Sequence, residues 1–177
     1  MDTGSRVVAR LPTGIAGPPR LTTNSEVATL SYIQSKLPLP VPTILDWSDS
    51  PANPIGTEYI IQEHIEGVQL HQILSDMNSE QHMLCYKALS LAIKQMASLD
   101  FPAYGSLYFS DAPLDEQMKI PLEQGFRIGL NCSPVFWNRY PGELELYGRP
   151  SPNCGPCQSH TIMHYAQCLT PRVNSGA

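Results

Sequence analysis

No apolar run in this 177-residue chain approaches the ~20 residues that cross a bilayer as a helix. No membrane span is expected. Charge is scarce at 15%, and positive charge is scarcer: 11 Lys and Arg stand against 16 Asp and Glu. A nucleic-acid surface or a polybasic membrane patch needs the opposite balance, so neither is expected. The start, Met1-Asp2-Thr3-Gly4-Ser5-Arg6, has neither the apolar core of a secretory signal nor the Arg-rich pattern of an amphipathic presequence. The five cysteines are an odd number, and without a leader they are expected as reduced thiols. The prior is a soluble intracellular protein long enough to bury one real core.

Proline is abundant instead. The 17 prolines predict many irregular connections between short elements. Residues 6–11, Arg-Val-Val-Ala-Arg-Leu, read as the second arm of a hairpin whose first arm is barely present. Thr23-Asn24-Ser25-Glu26 has the capping-box pattern, and Val27, Leu30, Ile33 and Leu37 follow at helical spacing. Pro38, Pro40 and Pro42 stop that helix. Residues 44–47 and 58–63 read as antiparallel strands joined by a turn-rich loop. A short helix is expected within 68–77, a long one over 79–99 and a strand over 105–109. Residues 113–156 read as loop, and 161–169 as the start of another helix.

The stretch Cys154-Gly155-Pro156-Cys157 invites two further readings. A thioredoxin-type pair needs a helix N-terminus on a sheet built largely from later sequence. Only 20 residues follow Cys157, too few for those units. Cys154, Cys157, His160 and His164 make a zinc set on paper, with Cys168 to spare. Two residues between Cys157 and His160 are too short a loop to wrap a tetrahedral ion without strain. Zinc is therefore not expected, and the cysteines read as loop thiols.

The order strand, helix, strand, strand, connector, helix is that of the small lobe of a kinase-like fold and the start of its large lobe. The stretches VVARLP, SEVATLSYI, LPVPTILDW, NPIGTEYIIQEHIEG, YGSLYF, SPVFW and GELELYG follow in order. Together they resemble the fungal aminoglycoside-phosphotransferase-like proteins, nearest the altered-inheritance-of-mitochondria group, over residues 6–168. The resemblance implies an α+β chain in two parts: a partial small lobe and hinge over 1–66, and the start of a large lobe over 67–177. It implies that Arg10 stands where kinases place the phosphate-contacting lysine, a site at which arginine's planar fork is an unequal replacement. Glu26 would be the helix carboxylate that pairs with it. Read from the residues alone, Arg10 is a surface strand arginine and Glu26 a capping-box partner of Thr23. The Glu63 carbonyl and the Ile65 amide would contact an adenine edge. ATP is the implied ligand, and the implied compartment is cytoplasmic or mitochondrial.

The catalytic half of that pattern is missing. A proton-accepting aspartate would follow a histidine by two residues, and an asparagine and a second aspartate would hold metal. His64, His71, His82, His160 and His164 are followed at that place by Glu66, Ile73, Leu84, Ile162 and Ala166. No magnesium site is therefore expected, and no phosphoryl transfer by this polypeptide alone. The five residues before Arg6 are too few for a first strand and a phosphate-covering turn, so Met1 is expected to lie inside a longer frame. The apolar stripe of the 79–99 helix should be left partly exposed, which predicts self-association or a protein partner. A non-catalytic nucleotide- or partner-binding module is the competing expectation.

Overall fold

The structure, a computed structural model, describes residues 4, 6–13, 16–123, 125–137, 155 and 156. The cysteine-histidine stretch and the 161–169 helix fall outside them, apart from Gly155 and Pro156. The described chain is mixed α and β, with two small antiparallel sheets and three helices.

The first sheet has the order β1-β3-β2, from β1 (Val7–Arg10), β2 (Ile44–Ser48) and β3 (Tyr59–Glu63). The β-branched run Ile60-Ile61 supports the central strand, and Ile60 is buried. Strand β1 pairs with β3, Arg10 opposite Ile60 and Val8 opposite Gln62. The first arm of the expected hairpin falls at residues 1–5, which apart from Gly4 lie outside the described residues.

Helix α1 (Leu21–Lys36) begins two residues before the expected capping box. Thr23 is inside the helix, and no side chain of the Arg20 cap closes its end. The buried set also differs from the stripe read in the sequence. Leu21, Thr23, Asn24, Ser25, Val27, Ala28 and Tyr32 are buried, whereas Leu30 and Ile33 are only half-buried. The reason is that α1 packs against both sheets, so its small and polar residues are covered too. Asn24 bridges the layers: its amide donates to Asp49 at 3.2 Å and its carbonyl accepts the Phe109 N–H at 3.1 Å.

The second sheet, order β4-β6-β5, was not anticipated in 113–156. Strand β4 (Ser106–Phe109) was expected, but the hairpin of β5 (Ile120–Glu123) and β6 (Phe126–Gly129) was not. Pro121 breaks the strand pattern in the sequence. It is tolerated because β5 is an edge strand, where a missing N–H costs no interior ladder bond. Tyr108, fully buried, donates its hydroxyl to the Leu130 carbonyl at 2.7 Å and packs with Leu21, Ala112, Phe136 and Trp137. Rings of Tyr32, Phe126, Phe109 and Trp47 form a row with centroids 5.3 to 5.5 Å apart, running from α1 across the second sheet to β2.

A short α2 (Leu70–Ile73) leads through a 3-10 turn to α3 (Ser79–Ala97). Asn78 and Gln81 close the start of α3 with a reciprocal capping box. No residue of α3 is buried, and Met83 is 69% exposed. Of the apolar stripe read in the sequence, Tyr86, Leu89, Ile93, Met96 and Leu99, the first three are more than half exposed, and so are Leu84 and Leu91. Replacing Leu89 and Ile93 by Glu should therefore change unfolding free energy by no more than about 0.5 kcal/mol per site. The same variant should sediment more slowly at high protein concentration than the parent, if the stripe drives association. A loss of several kcal/mol in urea unfolding would instead show that α3 is packed in solution.

Candidate functional site

Arg10 ends β1 opposite Ile60. Directly opposed residues of an antiparallel pair share a face of the sheet. Ile60 is buried on the face that α1 covers, so Arg10 is turned toward the helix. Glu26 stands on α1 one turn beyond Thr23. The two side chains meet: Arg10 Nη1 donates to Glu26 Oε1 in an ion pair. Both remain partly wet, at 49% and 32% side-chain exposure. An ion pair in that setting contributes about 0–1 kcal/mol to folding. Its structural value is therefore small, and it leaves a cation available at the edge of a cleft.

Two hollows flank the pair. One, of about 350 Å³, is lined by Arg10, Glu26, Thr22, Ser25, Gln62 and Cys132, among others. The other, of about 210 Å³, holds Arg10 and Glu26 with Pro12, Thr13, Thr23 and Ile60. Gly17 closes the loop beside them at φ 149, and a Cβ there would collide with Thr22 Oγ1 and the Cys132 carbonyl. A larger hollow of about 450 Å³ lies between α1, the end of α3 and residues 103–107, is mostly apolar, and does not include Arg10.

Glu63 and Ile65 sit toward the other end of β3. Glu63 is three residues from Ile60, about 10 Å along an extended strand. The Glu63 N–H donates to the Thr43 carbonyl at 2.9 Å, and its carboxylate accepts the Thr43 N–H at 3.3 Å. Ile65 is exposed in the segment after the strand, between His64, whose N–H donates to the Arg6 carbonyl, and Glu66, which pairs with Arg6. The structure thus joins Arg10 to Glu26 and leaves Glu63 and Ile65 at the rim of the same sheet.

Glu26 depends on how α1 is held, and carboxylates hold it at both ends. Glu58, just before β3, accepts the Arg20 N–H at 2.8 Å and the Thr23 hydroxyl at 2.6 Å. A carboxylate at this end of the helix also meets the positive pole of its dipole. Sequence reasoning gave Glu58 no role, because its partners are 35 and 38 residues away and leave no local pattern. At the far end Glu123 accepts from Lys36 Nζ at 2.8 Å and from the Tyr32 hydroxyl at 3.0 Å. The Lys36 bond, then the Tyr32 bond, hold the Glu123 carboxyl below its ordinary range. Burial, then the Glu123 bond, raise the Tyr32 hydroxyl.

The sign follows from linkage. The depressed Glu123 contributes stability above the unfolded carboxylate value of 4.5, and that contribution is lost as pH falls through the lower folded value. Tyr32 acts at the other limit, losing its contribution as pH rises above 10.0. Glu123→Gln should therefore flatten the fall of the urea midpoint below pH 4.5. An acid limb identical to the parent's would refute the Glu123 anchor.

No family model matches the chain. No solved structure matches it either. It is 36% identical over 155 residues to a subtelomeric hrmA-associated cluster protein of Aspergillus fumigatus, covering 88% of this chain and 29% of that protein. It is 29% identical over 153 residues to altered inheritance of mitochondria protein 9, mitochondrial, of Candida tropicalis, covering 77% of this chain and 25% of that protein. The protein of the same name in Clavispora lusitaniae is 32% identical over 129 residues, 64% of this chain and 21% of that protein. The chain thus spans less than a third of the length of these curated relatives. These similarities support the altered-inheritance-of-mitochondria group that the motifs pointed to, and no kinase-like family is shown by them.

Proposed function

We propose that residues 6–66 form the nucleotide-facing part of a kinase-like, aminoglycoside-phosphotransferase-like domain, and that this part binds nucleotide without transferring phosphate. The observation that carries the reading is the Arg10–Glu26 pair, made between a strand and a helix 16 residues apart. Two features of the fold agree with it. The helix is inserted between β1 and β2 in the chain, and the sheet order β1-β3-β2 puts the strand that leads to Glu63 and Ile65 at the centre.

In this reading Arg10 contacts the phosphates of ATP with its forked donors. Glu26 keeps the guanidinium turned toward the cleft, where Arg10 is half exposed and reachable. The Glu63 carbonyl and the Ile65 N–H supply the adenine edge with an acceptor and a donor. None of these groups is a general base, and no histidine of the chain is followed two residues on by aspartate. Phosphoryl transfer rests mainly on positioning and charge neutralisation by such groups. The residues present therefore support binding and not chemistry, which favours the non-catalytic reading for this polypeptide.

Titration of a non-hydrolysable ATP analogue into the chain tests this. Binding is expected, weakened about tenfold or more in Arg10→Ala, the scale of a lost charge-assisted bond. Labelled ATP should give no phosphate transfer above a heat-killed control. Undetectable binding by the parent, or equal affinity in Arg10→Ala, would overturn the proposal.

A further inference from the structure

The chain enters α1 through a turn that is rarely stable on its own. Arg20 has φ 65 and ψ −46, and the Leu21 N–H donates to the Pro19 carbonyl at 2.7 Å. A bond across two residues at such angles is the strained form of the γ-turn. A non-glycine residue persists there only where its surroundings over-determine it. The surroundings are Glu58 and Asp49. Glu58 takes the Arg20 N–H and the Thr23 hydroxyl, and Thr23 is almost fully buried. Asp49 takes the Asn24 amide, with the Arg20 guanidinium 3.9 Å away.

Glu58 also directly precedes β3, two residues before Ile60, the register partner of Arg10. One carboxylate therefore ties the strand that sets Arg10 to the helix turn that sets Glu26. We propose that Glu58 is the positioning residue of this site: by seating the strained turn at Arg20 and the hydroxyl of Thr23, it fixes the height and rotation of α1 at which Glu26 reaches Arg10. Glu58 touches neither Arg10 nor a ligand in this scheme and acts through the helix. A shift of α1 by one residue would carry Glu26 about 1.5 Å along the axis and about 100° around it, which breaks the pair. The consequence for ligand affinity rests on the nucleotide reading above; the mechanical link does not.

The Arg10 side-chain N–H resonances report the pair without any ligand. A guanidinium held by a carboxylate turns slowly and shows separate Nη signals, and a released one shows them merged. Separate signals are expected in the parent and in Thr23→Ser, which keeps the hydroxyl. Merged signals, as in Glu26→Ala, are expected in Glu58→Ala and in Thr23→Val, with the dispersed amide signals of the folded second sheet retained. Separate Arg10 signals in Glu58→Ala would overturn the inference; if that variant does not fold, Thr23→Val decides in the same way. The ATP analogue adds a second readout. Glu58→Ala should weaken it by the same factor as Glu26→Ala, with the double variant no weaker than either. A double variant weaker by the product of both factors would show independent roles and overturn the link. A parent that binds no analogue would defeat the nucleotide reading alone, leaving the Arg10 signals to judge Glu58.

Discussion

Helix α1 lies between two separate sheets and is fastened to both, and the remaining described structure is arranged around that fact. Asn24 shows it most compactly. Its one amide side chain, almost wholly buried, reaches Asp49 beyond β2 on one side and the backbone of Phe109 in β4 on the other. A buried amide with neither partner would cost about 1–3 kcal/mol, a large share of what a small domain has to spare. Thr23, buried beside it, donates its hydroxyl to Glu58, so this helix is held by directional bonds as well as by apolar area. Directional bonds fix a position more sharply than hydrophobic contact, which is non-directional.

That sharpness matters at Glu26. The Arg10–Glu26 pair is half-wet and adds little to folding, so it cannot hold α1 in place by itself. The order of cause runs the other way. Glu58 and Asp49 at the start of the helix, and Glu123 at its end, set the helix, and the helix brings Glu26 to Arg10. Among the described residues, helix α3 has no comparable set of bonds to the sheets. Its apolar residues face solvent along its length, although its first turn is properly capped. The capping box marks where this helix of 19 residues starts, but it does not specify what the helix packs against.

The legibility of the fold followed the range of the interactions involved. Strands β1 to β3 and helix α3 were readable because alternation, turn residues and helical spacing are local signals. The start and buried face of α1 were not. The stripe Val27, Leu30, Ile33 and Leu37 presumes one covered side, whereas the helix is covered on two. The second sheet was missed because its new strands are four residues long and one contains Pro121, a breaker everywhere but at an edge. Arg10 and Glu26 were named from the resemblance and are joined in space, while Glu58, which holds the helix between them, left no trace in the sequence. The relatives are much longer than the matched region, so most of each of them lies outside the part that resembles this chain.

The most direct measurement is the set of backbone amide shifts that a non-hydrolysable ATP analogue induces in the isotopically labelled chain. The shifts should concentrate on β1 around Arg10, on the turn of α1 carrying Glu26, and on residues 63–65. Shifts confined to the walls of the apolar hollow between α1 and α3, or none at saturating analogue, would contradict a nucleotide cleft built on the Arg10–Glu26 pair.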